Sequence, residues 1–254
     1  SDALPGEALL WAKLQQEIER AATAFPGVVG VAVTSLRHEA GCAVQAEEVF
    51  PAASTIKLPI LVQLLMRARS GEADLAQRVT VPAASHVLGS GVVAYLAGPV
   101  TLSLLDLAIL MVIVSDNTAT NLCLEVAGLG ATNALLDRLG LHQTRVRRKM
   151  MDQVAAVREL ENVATPAELV QLLRLLDAGQ PDPQAAAQAL AILKKPKVYL
   201  PRRPYALAIM SKYAQCSDEE HEQALIALGR MIHRWMGVLD RSNGYGRAVY
   251  DAAS

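Results

Sequence analysis

Apolar residues recur at helical spacing between Leu9 and Ala24, at Leu10, Leu14, Ile18 and Ala21–Ala22, and the run stops before Pro26–Gly27. That spacing predicts a helix over 9–24. Val28–Thr34 follows the Pro–Gly break, is rich in β-branched residues and reads as a strand, with a weaker second strand around Gly41–Ala46. Helical spacing then dominates from Ser54 to about Leu176. In Thr165–Pro166–Ala167–Glu168 a Thr stands at the cap, Pro at the first helical position and Glu at the third. Ser217–Asp218–Glu219–Glu220 repeats the device ahead of a helix over Gln223–Leu239. Between them Val198–Leu200 and Tyr205–Met210 flank Pro201–Arg202–Arg203–Pro204, the composition of a hairpin. The order strand, strand, many helices, strands, final helix predicts a sheet built from both ends of the chain with a helical lobe inserted.

With 254 residues, 52% of them hydrophobic, the chain can bury a large core. Charged residues make up 19% and the net charge is −1, which gives no electrostatic case for nucleic acid or an anionic membrane surface. The longest apolar run, Leu107–Val114, is far too short to span a bilayer and reads as a buried helix. No signal peptide is visible at Ser1–Asp2–Ala3, which fits a mature form, a trimmed chain or a cytosolic protein. Cys42, Cys123 and Cys216 are odd in number and widely spaced, so inert thiols are expected rather than a zinc site or a disulfide framework. His221–Glu222 opens a zinc-protease signature, but Leu225 stands where its second His belongs.

Ser54–Thr55–Ile56–Lys57 is the only S-x-x-K in the chain and leads into the apolar run Leu58–Met66. A Ser at a helix start and a Lys three residues on share one face. A buried Lys amine can take the hydroxyl proton, and the backbone N–H groups of the helix start can stabilise negative charge on an attacked carbonyl. Alone, the motif is weak, since a capping Ser with a solvated Lys is the commoner arrangement. Ser115–Asp116–Asn117, after the apolar stretch Leu104–Val114, has a turn reading of its own, since turns favour these residues. Together the two motifs are the acylation signature of serine beta-lactamases and penicillin-binding proteins.

With Phe50–Leu61, Gly89–Ser90–Gly91, Leu105–Leu124, Glu161–Leu173 and Val198–Ala208 in the family's order, the chain resembles the class A beta-lactamases over most of its length. The resemblance implies that Ser54 attacks the lactam carbonyl and supplies one oxyanion-hole donor from its backbone N–H. Lys57 would act as general base or relay, and Ser115 would pass a proton to the departing nitrogen. Asn117 would hold Lys57 and bind the substrate's side-chain amide.

Two departures stand out. The family's omega loop carries a Glu that activates the deacylating water; aligning Thr144–Arg145 and Arg148 puts Met150 there, with Val154 near the position of the loop's usual Asn. Asp152, Glu159 and Glu161 are the nearby carboxylates, each expected to be solvated or to brace the loop, with Arg148–Glu161 as a brace across its ends. The second departure is that no Lys–Thr–Gly exists anywhere; Arg69–Ser70–Gly71 has a variant's letters but ends the nucleophile helix. The chain runs from Ala191–Lys195 straight into Pro196–Tyr199, where the family has a loop and a strand. Either that strand is deleted or a stretch is missing between Lys195 and Pro196; the abrupt join points to the second, which an intact mass well above 27.1 kDa would support.

The expectation is therefore an α/β fold of the beta-lactamase type, a single domain over 1–254. Its sheet lobe, mainly antiparallel and flanked by helices, takes in about 1–54 and 181–254, and its helical lobe about 55–180, with the active site between them. Acyl-serine hydrolysis of beta-lactam rings, slow to deacylate, is the leading function. A D-alanyl-D-alanine peptidase and a non-catalytic binding protein on a degenerate scaffold are the alternatives. The substrate is a small beta-lactam or a peptidoglycan-like molecule. No metal, organic cofactor, nucleic acid or membrane span is implied, and the resemblance implies export.

Overall fold

Val28–Ser35 alternates β-branched and small residues, and Val29, Val31 and Val33 turn to one face. In the computed structural model, which describes residues 5–195 and 204–242, this strand is the centre of an antiparallel sheet. In chain order the elements begin with α1 (Pro5–Ala24), β1 (Val28–Ser35), β2 (Gly41–Val44), the short β3 (Phe50–Pro51), a 3-10 turn (Ala53–Ile56) and α2 (Lys57–Arg69). β4 (Arg78–Val81), β5 (Val100–Ser103), α3 (Leu104–Ile113), α4 (Asn117–Ala127), α5 (Leu129–Arg138) and α6 (Gln153–Val157) follow. The short β6 (Val163–Ala164), α7 (Pro166–Asp177), α8 (Pro183–Leu193), β7 (Tyr205–Lys212) and α9 (Asp218–Arg241) complete the described chain. This is a mixed α/β fold, helix-rich with small antiparallel sheets.

The chain divides into two compact units. One unit comprises Ser1–Phe50, Thr165–Arg174 and Tyr199–Ser254. Its sheet has the order β2-β1-β7, with Val31 opposite Val44 on one side and Ile209 on the other. Trp11, Leu14 and Ile18 of α1 and Leu228, Ile232, Met236 and Leu239 of α9 cover the face that Val29, Val31 and Val33 present, so both helices lie on that side. On β1, Gly30 leaves room for the Phe50 ring; a Cβ there would lie 2.5 Å from a ring carbon.

The other unit comprises Pro51–Ala164 and Leu175–Val198. Ile60, Leu61, Leu64 and Leu65 are fully buried, because α2 is covered by α3, α4, α5 and α8. A helix apolar on all sides is stable only in such a position, and each buried Leu or Ile contributes about 2 kcal/mol.

Most sequence-based expectations hold, with informative differences. The first helix starts at Pro5 rather than Leu9. The capping box at Ser217 forms in both directions with Glu220, and Thr165 Oγ1 accepts from Glu168 N at 3.1 Å. The stretch from Ser54 to Leu176 is not helical throughout, since β4 and β5 form an antiparallel ribbon with Val79 opposite Leu102. Val198–Leu200 and the turn residues Pro201–Arg203 lie outside the described residues, while Tyr205–Met210 is the strand expected. Burial pushes the Cys42 thiol up to about 11 and that of Cys123 to about 12, leaving both inert at neutral pH, and Cys216 is half-buried. No described helix is long and apolar enough to cross a membrane.

Candidate active site

Ser54 lies in the 3-10 turn, and Lys57 is the first residue of α2. In 3-10 geometry residues i and i+3 eclipse each other, so the two side chains share a face more closely than on an α-helix. Ser54 is exposed, whereas Lys57 is buried, only 4% exposed. A buried amine needs partners, and the turn between α3 and α4 supplies them. Lys57 Nζ donates to Ser115 O at 2.6 Å, to Ser115 Oγ at 2.8 Å and to Asn117 Oδ1 at 3.1 Å. Ser115 sits at φ +55, a left-handed conformation rare outside glycine, and from it offers both its oxygens to the one ammonium. Its hydroxyl also donates to Ser54 Oγ at 2.8 Å. All four sequence-predicted residues are thus brought together, with the link from Ser54 to Lys57 running through the Ser115 hydroxyl.

Three further residues anchor the segments around this cluster and the 148–162 loop, and motif reading gave them no role. Asp116 is buried, caps α4 through Ala119 N at 2.9 Å, and accepts from Val92 N at 2.6 Å and Val93 N at 2.8 Å. It thereby pins the Gly89–Val93 segment, and Asn117 N donates to Ser90 O at 3.0 Å to the same effect. Asn121 holds both backbone groups of Met150: Met150 N donates to Asn121 Oδ1 at 2.7 Å, and Asn121 Nδ2 donates to Met150 O at 3.2 Å. Asn162 Oδ1 accepts from Arg147 N at 2.7 Å and Arg148 N at 3.1 Å, which closes the neck of the 148–162 loop. The only advance signal for these three was polar residues inside otherwise buried stretches.

Two of the three loop carboxylates are engaged, and Glu159 is exposed. Arg148 Nη2 donates to both Glu161 oxygens, at 2.7 and 2.9 Å, which is the expected brace. Asp152 caps α6 by accepting from Ala155 N at 3.0 Å. Burial pushes the Lys57 ammonium down to about 8, with the Asp116 carboxylate pulling it upward. Among the described residues no cluster of His, Cys, Asp and Glu could hold a metal ion.

The family model described as the beta-lactamase enzyme family matches residues 13–198. Among curated protein sequences none matches this chain. The beta-lactamase of Sphaerobacter thermophilus DSM 20745 is 26% identical, covers 89% of this chain and 98% of its own, and superposes with a TM-score of 0.79. A variant of PBP-A solved as an acyl-enzyme complex with penicillin G is 22% identical over 93% and 99% of the two chains, with a TM-score of 0.74. An ancestral class A beta-lactamase shares the fold at 23% identity and a TM-score of 0.77, over 87% and 99%. With a family model spanning most of its residues and that motif geometry in place, the chain belongs to the beta-lactamase enzyme family.

Proposed function

We propose that this protein is a serine hydrolase that opens beta-lactam rings through an acyl-Ser54 intermediate and releases the product slowly. The observation that carries the reading is the hydrogen-bonded line from Lys57 Nζ through Ser115 Oγ to Ser54 Oγ.

The line also limits how the proton can travel. Lys57 donates to three oxygens, and two of them, a carbonyl and an amide oxygen, can only accept. When Lys57 is neutral, its lone pair can therefore face only the Ser115 hydroxyl. Ser115 then donates to Lys57 and accepts from Ser54, the reverse of the resting direction. As the Ser54 oxygen attacks the carbonyl carbon, its proton passes to Ser115, and the Ser115 proton passes to Lys57. When the ring C–N bond breaks, the proton returns from Lys57 through Ser115 to the departing nitrogen. The Ser54 backbone N–H serves the oxyanion, and Asn117 serves the substrate's side-chain amide.

Hydrolysis of the ester needs a base for water, and Met150 has none to offer. Asp152 and Glu161 are occupied in a cap and an ion pair. Deletion of the Lys–Thr–Gly strand, one of the two alternatives the sequence leaves open, would also remove the second oxyanion donor, a loss of about 3 kcal/mol in the transition state. Met150 also favours a second reading, a D-alanyl-D-alanine peptidase, which shares the acylation step.

The test is a time course with a fluorescent penicillin. Ser54 should label and hold the label for many minutes, and Ser54→Ala should abolish labelling. Labelling that persists in Ser54→Ala refutes the assigned nucleophile, and release of D-alanine from a peptidoglycan-mimicking peptide selects the second reading.

A further inference from the structure

α1 and α9 lie together over the sheet of their unit, and at one end they leave a cavity of about 460 Å³ between them. Val29 of β1 and Leu228 of α9, both buried, form its floor. Its helix walls carry alanine on both sides, Ala21 and Ala24 on α1 and Ala224 and Ala227 on α9. Facing alanines let two helices approach closely, but the bulky Trp11, Ile18, Ile232 and Met236 in the shared core set a wider spacing. The space left over falls within the roughly 300–1,000 Å³ of small-molecule sites. All of its lining belongs to the one unit, and none of the residues gathered at Ser54 takes part.

Phe25 and Met231 add an aromatic ring and a thioether, side chains that pack well against a flat ring. The Phe25 ring is itself held, 5.8 Å from the His221 imidazole and tilted at 55°, and His221 Nε2 is bonded to Ser211 Oγ at 2.8 Å. That wall stands ready, so little ordering is left to binding. The charged residues lining the cavity are Glu17 and Arg20, an exposed pair at 2.8 Å on α1. Such a pair holds weakly in water. Among the described residues it engages Arg20 through Nη1 alone, which leaves Nε and Nη2 to grip a second carboxylate at two points. A guanidinium is also weakly hydrated and sheds water readily beside apolar walls, whereas a ligand ammonium brought to Glu17 would not.

We propose that this cavity is a second small-molecule site, which takes a flat aryl carboxylate. The ring enters the slot between the alanine walls, against Phe25 and Met231, and the carboxylate stays at the mouth on Arg20. The site is independent of the acyl-Ser54 reading, and so is its test.

Calorimetry on the whole chain with three probes that share one ring system supplies that test: 2-naphthoate, 2-naphthamide and 2-naphthylmethylammonium. Naphthoate should bind about fivefold or more tighter than either of the others. Arg20→Gln, at a side chain 70% exposed, should bring naphthoate level with the amide. Ala227→Trp should fill the slot and abolish binding of all three, while circular dichroism and the urea midpoint stay those of the unsubstituted protein. If Ala227→Trp does not fold, Arg20→Gln decides alone. The proposal is overturned by absence of naphthoate binding, the result expected if another segment of the chain already fills the cavity. A preference for the amide or the ammonium overturns it too, as does naphthoate binding that Arg20→Gln leaves unmoved or that survives in a folded Ala227→Trp.

Discussion

At the scale of single residues the proposed chemistry turns on Lys57, where burial opposes its charge while the Ser115 and Asn117 oxygens tolerate it. With its ammonium brought down to about 8, the neutral fraction grows about tenfold per pH unit below that value and then levels. The acylation rate of Ser54 should follow that curve, rising from pH 6 to 8 and flat above, when measured with a fluorescent penicillin at saturating concentration. Asp116→Asn removes the carboxylate that pulls the value up, so the midpoint of the profile should move to lower pH. A midpoint that stays in place would show that Asp116 acts only as a cap and loop anchor. The sign for stability also follows. The folded value lies below the ordinary 10.5, so between about 8 and 10.5 the unfolded chain binds a proton that the folded chain has lost. The burden of the buried charge is full below pH 8 and eases as pH rises through that window. Lys57→Met should therefore stabilise the protein most at pH 7, and that gain should shrink by pH 10 in urea titrations.

In the proposed function, the element on which turnover depends is the loop from Arg148 to Asn162. Its neck is held by the Arg148–Glu161 pair and by Asn162 against the backbone of Arg147 and Arg148, and its start by Asn121 on Met150. Asn162→Ala leaves backbone N–H groups unpaired and should cost about 2–3 kcal/mol, seen as a lower urea midpoint and faster proteolysis within the loop. Met150→Glu places a carboxylate on the residue that Asn121 clamps. It should shorten the life of the acyl-enzyme by a factor on the order of 100 or more, read as faster loss of label and appearance of nitrocefin turnover. A label as durable as before would show that the position does not reach the ester. This element also marks the limit of legibility. The Arg148–Glu161 brace could be read from opposite charges at the loop's ends, and the Ser217 box from four adjacent residues. Asp116, Asn121 and Asn162 could not, because each bonds to backbone groups some 14 to 29 residues away in sequence, and any residue type offers the same backbone groups. The β4–β5 ribbon was missed because four-residue strands are too short to show a period against the helices around them.

Across the whole chain, the fold class was legible because the order of elements survives errors in their ends. Strands near both termini and helices between them demand a sheet assembled from distant segments. What composition could not reveal is which apolar residues cover which. The unit that holds the three-stranded sheet buries Val31 of β1 under Ile18 from α1 and Ile232 from α9, residues more than 200 positions apart in sequence and all three fully buried. Closing so long a loop is slow but adds little free energy per added residue, so the unit's stability rests on that shared core. Ile232→Ala should leave a cavity that neither helix can fill without leaving the sheet, and cost about 2–4 kcal/mol. Leu9→Ala, on the same α1 but 60% exposed, should cost a few tenths at most. If both variants shift the urea midpoint alike, then α9 is not the lid on the sheet that its buried stripe of Leu228, Ile232, Met236 and Leu239 makes it.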